Sequence, residues 1–195
     1  MHINWQLREL NLKIVYYGPA LSGKTTNLEQ IHARIDPKRR SELVCLKTHE
    51  DRTLFFDFMQ LELGKIGLLT PKIHLYTVPG QAYYEASRKL VLRGADGVVF
   101  VADSGADKMR INLESWLTMN SHLGCKNLSA PVLPIVVQFN KQDLPNAMNP
   151  ERLRNLLDLN GHPTISAVAN QGTGVFDTLK LITINVISKA QHEFS

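Results

Sequence analysis

Apolar residues gather in short runs along the chain, and polar segments separate these runs. The runs are NLKIVYY (11–17), ELVCL (42–46), KIHLYTV (72–78), DGVVFVAD (96–103), PVLPIVVQF (131–139) and the weaker HPTISAV (162–168). Several runs are continuous rather than alternating, which is typical of strands that are buried on both faces. The pattern therefore predicts a mostly parallel sheet of six or seven strands.

The segments between the runs carry apolar residues at helical spacing. The predicted helices span residues 25–35, 83–93, 110–123, 150–157 and 175–190. Because strand and helix alternate, we predict an α/β fold of three layers, with helices on both faces of the sheet. Ligands of such folds bind beyond the carboxyl ends of the strands, so the chemistry should follow directly after the apolar runs.

Composition favours one domain over residues 1–195, because the chain is 44% hydrophobic and 21% charged. No apolar run approaches the roughly 20 residues that cross a bilayer. Neither end carries a secretion or lipidation signal, so we expect a cytoplasmic protein without direct membrane insertion. The formal charge is +4, but the basic residues are dispersed except at 38–40, which argues against a nucleic-acid partner. Trp5 and Trp116 are interpreted as packing residues.

The first run leads into GPALSGKTT, which satisfies the pattern G-x-x-x-x-G-K-[ST] between a predicted strand and a predicted helix. Glycines let backbone N–H groups curl around a polyphosphate, and the helix N-terminus adds a favourable dipole. Lys24 would neutralise the phosphates, and the Thr25 hydroxyl would be a ligand of Mg²⁺. The predicted nucleotide-binding residues of this P-loop are Gly18, Ser22, Gly23, Lys24, Thr25 and Thr26.

The fifth run leads into FNKQD, which points to guanine rather than adenine. A carboxylate at Asp143 can accept both the N1–H and the exocyclic amine of guanine. Asn140 can tie the base region to the phosphate loop, and the stem of Lys141 can cover the ring. After the sixth run, Ser166 and Ala167 offer a backbone N–H for the guanine carbonyl, or they are an ordinary exit from a strand.

With these motifs, the chain resembles the Ras-like small GTPases, which have a P-loop NTPase fold. The combination of GPALSGKTT, DRTLFFDF, TVPGQ and NKQD resembles more narrowly the bacterial MglA family of motility and cell-polarity GTPases. The resemblance covers residues 12–187, and Thr77 in TVPGQ, where Ras-like proteins usually carry Asp, is a mark of that family.

Two segments would sense the γ-phosphate of GTP. In TVPGQ, the Gly80 N–H would bond a phosphate oxygen, and Gln81 would orient the attacking water. In THEDRTLFF, Thr53 is the better candidate for a second hydroxyl on Mg²⁺, and Thr48 competes with it. Similarity to the MglA family suggests that Arg52 is an arginine finger; the alternative is a surface arginine paired with Glu50 or Asp51.

Thr77 leaves open which residue holds the water on Mg²⁺ that an Asp holds in Ras-like sites. Either Asp57, a carboxylate within the apolar FFDFM, or the Thr77 hydroxyl can take this position through water. The alternative is that Asp57 faces solvent on an edge strand.

The resemblance implies a switch that binds GTP and GDP, hydrolyses GTP slowly alone, and binds polarity or motility effectors in its GTP form. It also implies an activating partner of the MglB type, a homodimer with the Roadblock fold, and recruitment to a cell pole by partners. A GTP-dependent scaffold with little hydrolysis is the second hypothesis. A P-loop kinase is the third, but it would leave NKQD and PGQ unexplained.

Overall fold

The structure is a computed structural model that describes residues 1–46, 56–80, 84–124, 133–159 and 161–193. Its strands are β1 (His2–Asn4), β2 (Glu9–Tyr17), β3 (Val44–Leu46), β4 (Phe56–Glu62), β5 (Thr70–Thr77), β6 (Gly97–Asp103), β7 (Ile135–Asn140) and β8 (Thr164–Ser166). Its α-helices are α1 (Lys24–Arg34), α2 (Glu85–Leu92), α3 (Met109–Leu123), α4 (Pro150–Leu156) and α5 (Val175–Glu193). Within these ranges, no helix combines the length and the apolar character needed to cross a bilayer.

All the strands belong to one sheet in the order β3-β4-β5-β2-β6-β7-β8, with β1 paired to β2. The five strands β5, β2, β6, β7 and β8 are parallel to one another, while β1, β3 and β4 are antiparallel to their neighbours. The predicted α/β fold with a mostly parallel sheet is confirmed. The parallel strands bring their carboxyl ends to one edge of the sheet, where ligands bind in such folds.

Two strands were not recognised from the sequence. Strand β1 has three residues, too few for a hydrophobic period to be visible. Strand β4 has the sequence FDFMQLE, in which polar residues interrupt the apolar ones, because only Met59 and Leu61 of this strand are fully buried. The described sheet consequently has eight strands, one more than the larger predicted number.

The sheet separates two apolar cores. One core packs the sheet against α1 and α5, and Tyr16 belongs to it; the other packs the sheet against α2, α3 and α4, and Tyr17 belongs to it. Every residue of β6 and β7 is buried, as expected for central strands covered on both faces. Trp116 is buried in the second core, as predicted, but the interpretation of Trp5 as a packing residue is wrong, because Trp5 is 72% exposed.

A buried polar network fixes α1 and α5 to the sheet. The amides of Gln138 and Asn27 exchange two hydrogen bonds of 2.8 and 2.9 Å, and Gln138 also donates to the Thr178 hydroxyl at 2.9 Å. Asn27 donates further to the carbonyl oxygen of Gly23, at the start of α1. All three side chains are completely buried, so the network holds the helix that follows the phosphate loop.

We expect Gln138→Leu to lower the free energy of unfolding by about 1–3 kcal/mol, because it leaves the buried Oδ1 of Asn27 without a donor and removes one hydrogen bond from the Thr178 hydroxyl. Urea unfolding measures this loss. The double variant Gln138→Leu/Asn27→Leu should lose less than the sum of the two single variants, since it removes both members of the amide pair. Additive losses would contradict a coupled network.

Candidate functional site

The phosphate loop, residues 18–23, joins β2 to α1 and lies close against two other parts of the site. Gly18 and Gly23 have φ angles of 149° and 102°, which favour glycine. A Cβ on Gly18 would lie 2.2 Å from the carbonyl oxygen of Val101, and one on Gly23 would lie 2.1 Å from Nδ2 of Asn140. Both the backbone conformation and the lack of space for a Cβ therefore require glycine at these two positions, and the loop lies against Val101 of β6 and Asn140 of β7.

Lys24, the first residue of α1, reaches back along this loop. Its Nζ donates to the carbonyl oxygens of Gly18 at 3.1 Å and Pro19 at 2.6 Å. Burial, and secondly the charge of Arg88, lower the pKa of Lys24 to about 7, while Asp57 opposes the shift. A phosphate beside this amine would favour its charged form.

Asn140 connects three segments at the carboxyl edge of the sheet. It ends β7 and is 2% exposed. Its Nδ2 donates to the carbonyl oxygen of Ser22 at 2.8 Å, and its Oδ1 accepts from the N–H of Ala169 at 2.8 Å. The side chain thus joins the phosphate loop to the segment after β8, consistent with the tie predicted from the sequence.

Lys141 is held in place by an acidic residue that the sequence motifs did not identify. Its Nζ donates to Oδ2 of Asp103 at 2.7 Å, and its backbone has a positive φ of 66°. Asp103 ends β6, is 3% exposed, and also accepts from the N–H of Gly105. Asn112 of α3 bonds both the N–H and the carbonyl oxygen of Asp103. A charged residue that closes the run DGVVFVAD was the available signal for this position.

A cavity of about 180 Å³ lies beside the phosphate loop. Its wall contains Thr26, Asn140, Lys141 and Asp143, together with Leu21, Gly23, Leu144, Ala169 and Asn170. Asp143 is exposed, so its carboxylate is accessible to a ligand. Four residues predicted for nucleotide binding from two distant motifs therefore line one cavity with Gly23 of the phosphate loop.

Ser166 and Ala167 lie beside the turn 140–143, but the Ala167 N–H is already in use. It donates to the carbonyl oxygen of Phe139 at 2.8 Å, and the carbonyl oxygen of Ala167 accepts from the N–H of Gln142. Ser166 is the exposed last residue of β8. In this conformation both backbone polar groups of Ala167 are hydrogen-bonded within the protein. This is what the alternative of an ordinary exit from a strand predicts.

Asp57, whose surroundings the sequence left open, contacts two threonine side chains. Its Oδ2 accepts from the Thr25 hydroxyl at 2.5 Å and from the Thr77 hydroxyl at 2.9 Å. Its N–H donates to Thr77 Oγ1 at 2.8 Å. Strand β4 is paired on both sides, with β3 and β5, so Asp57 is not on an edge strand, and its side chain is partly buried.

These oxygen atoms have the chemistry that Mg²⁺ requires. Mg²⁺ keeps several waters and is usually bound by one or two carboxylates or hydroxyls together with phosphates. In the described ranges, no three His, Cys, Asp or Glu side chains form a group that could hold a metal ion, so Asp57, Thr25 and Thr77 could supply only part of the surroundings of an ion, directly or through water. Such surroundings fit a hydrated ion that is shared with a phosphate.

The segment after β5 also contacts the phosphate loop. A Cβ added to Gly80 would lie 2.3 Å from the backbone nitrogen of Ala20 and 2.6 Å from the carbonyl carbon of Pro19. This close approach places the backbone of Gly80 against the loop predicted to bind phosphate. The predicted residues Thr48, Arg52, Thr53 and Gln81 lie outside the described residues.

Arg88 is a second cation of the site that the sequence did not reveal. It belongs to α2, is 6% exposed, and acts electrostatically on Lys24 and Tyr17. A single arginine in an amphipathic helix matches no motif, so only the fold shows that it lies near the phosphate loop.

Comparison with known proteins gives relatives over almost the whole chain. The mutual gliding-motility protein MglA of Myxococcus xanthus is 49% identical over 96% of this chain and 96% of its own length. The ADP-ribosylation factor-like protein 6 of Caenorhabditis briggsae is 27% identical over 95% of this chain and 85% of its own length. The Ras-related protein Rab-5B of Plasmodium falciparum is 24% identical over 93% and 81%, respectively. The predicted resemblance to MglA is confirmed.

The family comparison agrees with these relatives. Small GTPases hydrolyse GTP and generally bind GTP and GDP with Mg²⁺. The sequence model of the ADP-ribosylation factor family matches residues 2–186. On this match and on the identity to MglA, the chain belongs to the ADP-ribosylation factor family of small GTPases.

Proposed function

We propose that this chain is a GTP-binding switch that hydrolyses GTP to GDP and controls cell polarity or gliding motility through effectors that bind its GTP form. The observation that carries the proposal is the bridge made by Asn140, which places the phosphate loop and the Asp143 carboxylate around one cavity. The 49% identity to a protein named for mutual gliding motility supports the biological role.

Guanine recognition rests on Asp143. Its carboxylate accepts the N1–H and the exocyclic amine of guanine together, a pair of donors that adenine lacks. The hydrogen bond from Lys141 to Asp103 holds the lysine stem beside the cavity, where its methylene groups can cover the face of the base. The Gly80 N–H is the proposed donor to the γ-phosphate.

Phosphate and Mg²⁺ binding rest on α1 and on the β4–β5 pair. Lys24 binds the β- and γ-phosphates, and the Thr25 hydroxyl would be a ligand of Mg²⁺. Asp57 would hold the ion through water, and the Thr77 hydroxyl fixes the orientation of Asp57. Bound Mg²⁺ supplies neutralisation of the charge on the phosphates.

Hydrolysis and regulation follow from the resemblance and concern residues outside those described. Gln81 orients the attacking water, Thr53 supplies a second hydroxyl to the metal, and Arg52 is an arginine finger. A homodimer of the MglB type, with the Roadblock fold, accelerates hydrolysis, and partners choose the cell pole.

The alternative of a GTP-dependent scaffold with little hydrolysis drew on the missing carboxylate at Thr77. The contact between Asp57 and Thr25 argues against it, because a carboxylate from the neighbouring strand contacts the hydroxyls of both Thr25 and Thr77. Phosphate release from bound GTP, with and without an MglB-type partner, separates the two functions; no release in either case would favour the scaffold.

Replacing Asp143 tests the proposed base specificity. Asp143→Asn exchanges an acceptor for a donor facing the guanine amine, so the affinity for GDP should fall about 10²–10³-fold, as expected for the loss of charged hydrogen bonds. A fluorescent GDP analogue measures the affinity, and Asp177→Asn, on α5, is the matched control. The proposal would be contradicted if Asp143→Asn bound GDP as tightly as the unaltered chain does, or if the unaltered chain preferred ATP over GTP.

Replacing Asp57 tests the proposed metal geometry. Asp57→Ala should raise the Mg²⁺ concentration needed for tight GTP binding by about 10–100-fold, as for outer-shell partners in other metal sites. Thr77→Val, which removes only the hydroxyl that orients Asp57, should raise it less. An Mg²⁺ requirement unchanged in Asp57→Ala, in protein whose thermal unfolding is normal, would exclude Asp57.

The lowered pKa of Lys24 predicts proton uptake on nucleotide binding. Between about 7 and its ordinary value of 10.5, the amine is neutral in the unliganded fold, and a bound phosphate favours the charged form. The affinity for GDP should therefore fall as the pH rises through this window, by up to about tenfold per pH unit.

Calorimetry in two buffers with different ionisation enthalpies measures this uptake, which should approach one proton midway through the window. Lys24→Arg is the matched control, because its guanidinium is charged throughout and any residual binding should take up no proton. An uptake near zero in the unaltered chain would show that Lys24 is charged before the nucleotide binds.

A further inference from the structure

Two turns at the end of the sheet away from the phosphate loop expose large apolar side chains. Trp5 and Leu7, in the turn between β1 and β2, are 72% and 64% exposed. Ile66 and Leu68, in the turn between β4 and β5, are 36% and 78% exposed. Single exposed apolar residues are ordinary, but a cluster marks an interaction site.

The strand pairing brings these two turns together. Strands β2 and β5 are parallel neighbours in which Glu9 pairs with Thr70, and the N–H of Thr70 donates to the carbonyl oxygen of Arg8 at 2.8 Å. The turn 5–8 therefore lies directly beside the end of the turn 63–69. We call Trp5, Leu7, Arg8, Lys65, Ile66 and Leu68 the tip patch.

The charges of the tip patch are all positive. The two turns read WQLR and LGKIGLL and contain no acidic residue, and Arg8 and Lys65 are both exposed. Of the acidic residues at the adjoining strand ends, Glu9 is bound to Lys72 at 2.5 Å and Glu62 is the exposed last residue of β4. The patch thus combines a tryptophan, branched aliphatic side chains and unopposed cations within the turns.

We propose that the tip patch docks on an anionic lipid surface. Tryptophan rings favour the headgroup region of a bilayer, aliphatic side chains favour the boundary of the acyl chains, and Lys and Arg are attracted to anionic headgroups. The apolar side chains stand on two turns at the end of a sheet. Such turns are better suited to contact the surface of a bilayer than the concave surface of a partner protein. This contact is peripheral, since none of the described helices crosses a membrane.

Docking at the tip patch would orient the molecule on the membrane, a property that goes beyond the proposed switch function. The nine residues of β2 separate the tip patch from the phosphate loop, a distance of about 30 Å for an extended strand. A membrane at the tip patch would leave the nucleotide and its neighbouring loops free for partners. A direct contact with lipid would add to the recruitment by partners that the family resemblance implies.

Cosedimentation of the full-length chain with vesicles tests this proposal without any dependence on GTP hydrolysis. The vesicles consist of phosphatidylcholine alone or of phosphatidylcholine mixed with phosphatidylglycerol. The chain should bind the mixed vesicles preferentially. Trp5→Ala/Leu68→Ala should reduce the partition coefficient at least about tenfold, because it removes apolar surface from the contact, whereas Leu117→Ala/Ile184→Ala alters similarly exposed residues elsewhere and should retain binding.

A second pair of variants tests the role of charge. Arg8→Gln/Lys65→Gln should lower binding to the mixed vesicles about fivefold or more for each cation removed. Lys38→Gln/Arg39→Gln removes the same charge from another exposed segment and should change binding much less. Equal losses in both pairs would mean general attraction of a basic protein and would overturn the proposal.

Fluorescence locates the contact. The chain has two tryptophans, and Trp116 is only 5% exposed, so a blue shift on addition of mixed vesicles should come from Trp5 and disappear in Trp5→Phe. Absence of binding to either vesicle, or binding insensitive to the tip variants, would overturn the proposal. A concentration-dependent dimer that the tip variants abolish, without vesicle binding, would assign the patch to a second copy instead.

Discussion

The side chain of Asn140 is the contact on which the rest of the site depends. One amide joins the carbonyl oxygen of Ser22 to the N–H of Ala169, so three segments that are far apart in the sequence meet at one point. Gln138, two residues earlier on β7, faces the same side of the sheet and binds Asn27 and Thr178. Two buried amides on one strand thus secure the phosphate loop and the helix that follows it.

The site keeps a carboxylate near Thr25 although Thr77 stands where Ras-like proteins usually carry Asp. Asp57 and Thr77 lie on antiparallel neighbouring strands, and both the backbone and the side chain of Asp57 bond the Thr77 hydroxyl. Because neighbouring strands are about 4.8 Å apart, a carboxylate on β4 can reach Thr25 when β5 presents only a short hydroxyl. The threonine at 77 therefore has a structural use, since it orients the acidic residue beside it.

The parts of the site that the sequence predicted are those whose residues are close together along the chain. GPALSGKTT forms the phosphate loop and the start of α1, NKQD forms the end of β7 and the turn after it, and continuous apolar runs locate the strands that precede them. The contacts of Asp103 with Lys141 and of Gln138 with Asn27 join residues 38 and 111 positions apart, and no local pattern encodes such pairs. The two alternatives for Asp57 stayed open because β4 went unrecognised, so its pairing with both β3 and β5 could not be predicted. No motif could predict the hydrogen bond from the Ala167 N–H to Phe139, because the register of the strands decides it.

The electrostatics of the phosphate loop show what the fold is built to hold. Lys24 and Arg88 are both buried beside it, and burial together with the charge of Arg88 disfavours the charged form of Lys24. The carbonyl oxygens of Gly18 and Pro19 solvate this amine only partly, and Asp57 opposes the shift without cancelling it. A polyphosphate would relieve both the desolvation and the repulsion, so bound nucleotide would stabilise the folded chain by mass action as well as setting its state. The two buried side chains that give the site its affinity for phosphate, Lys24 and Arg88, therefore make the unliganded fold less stable than the nucleotide-bound fold.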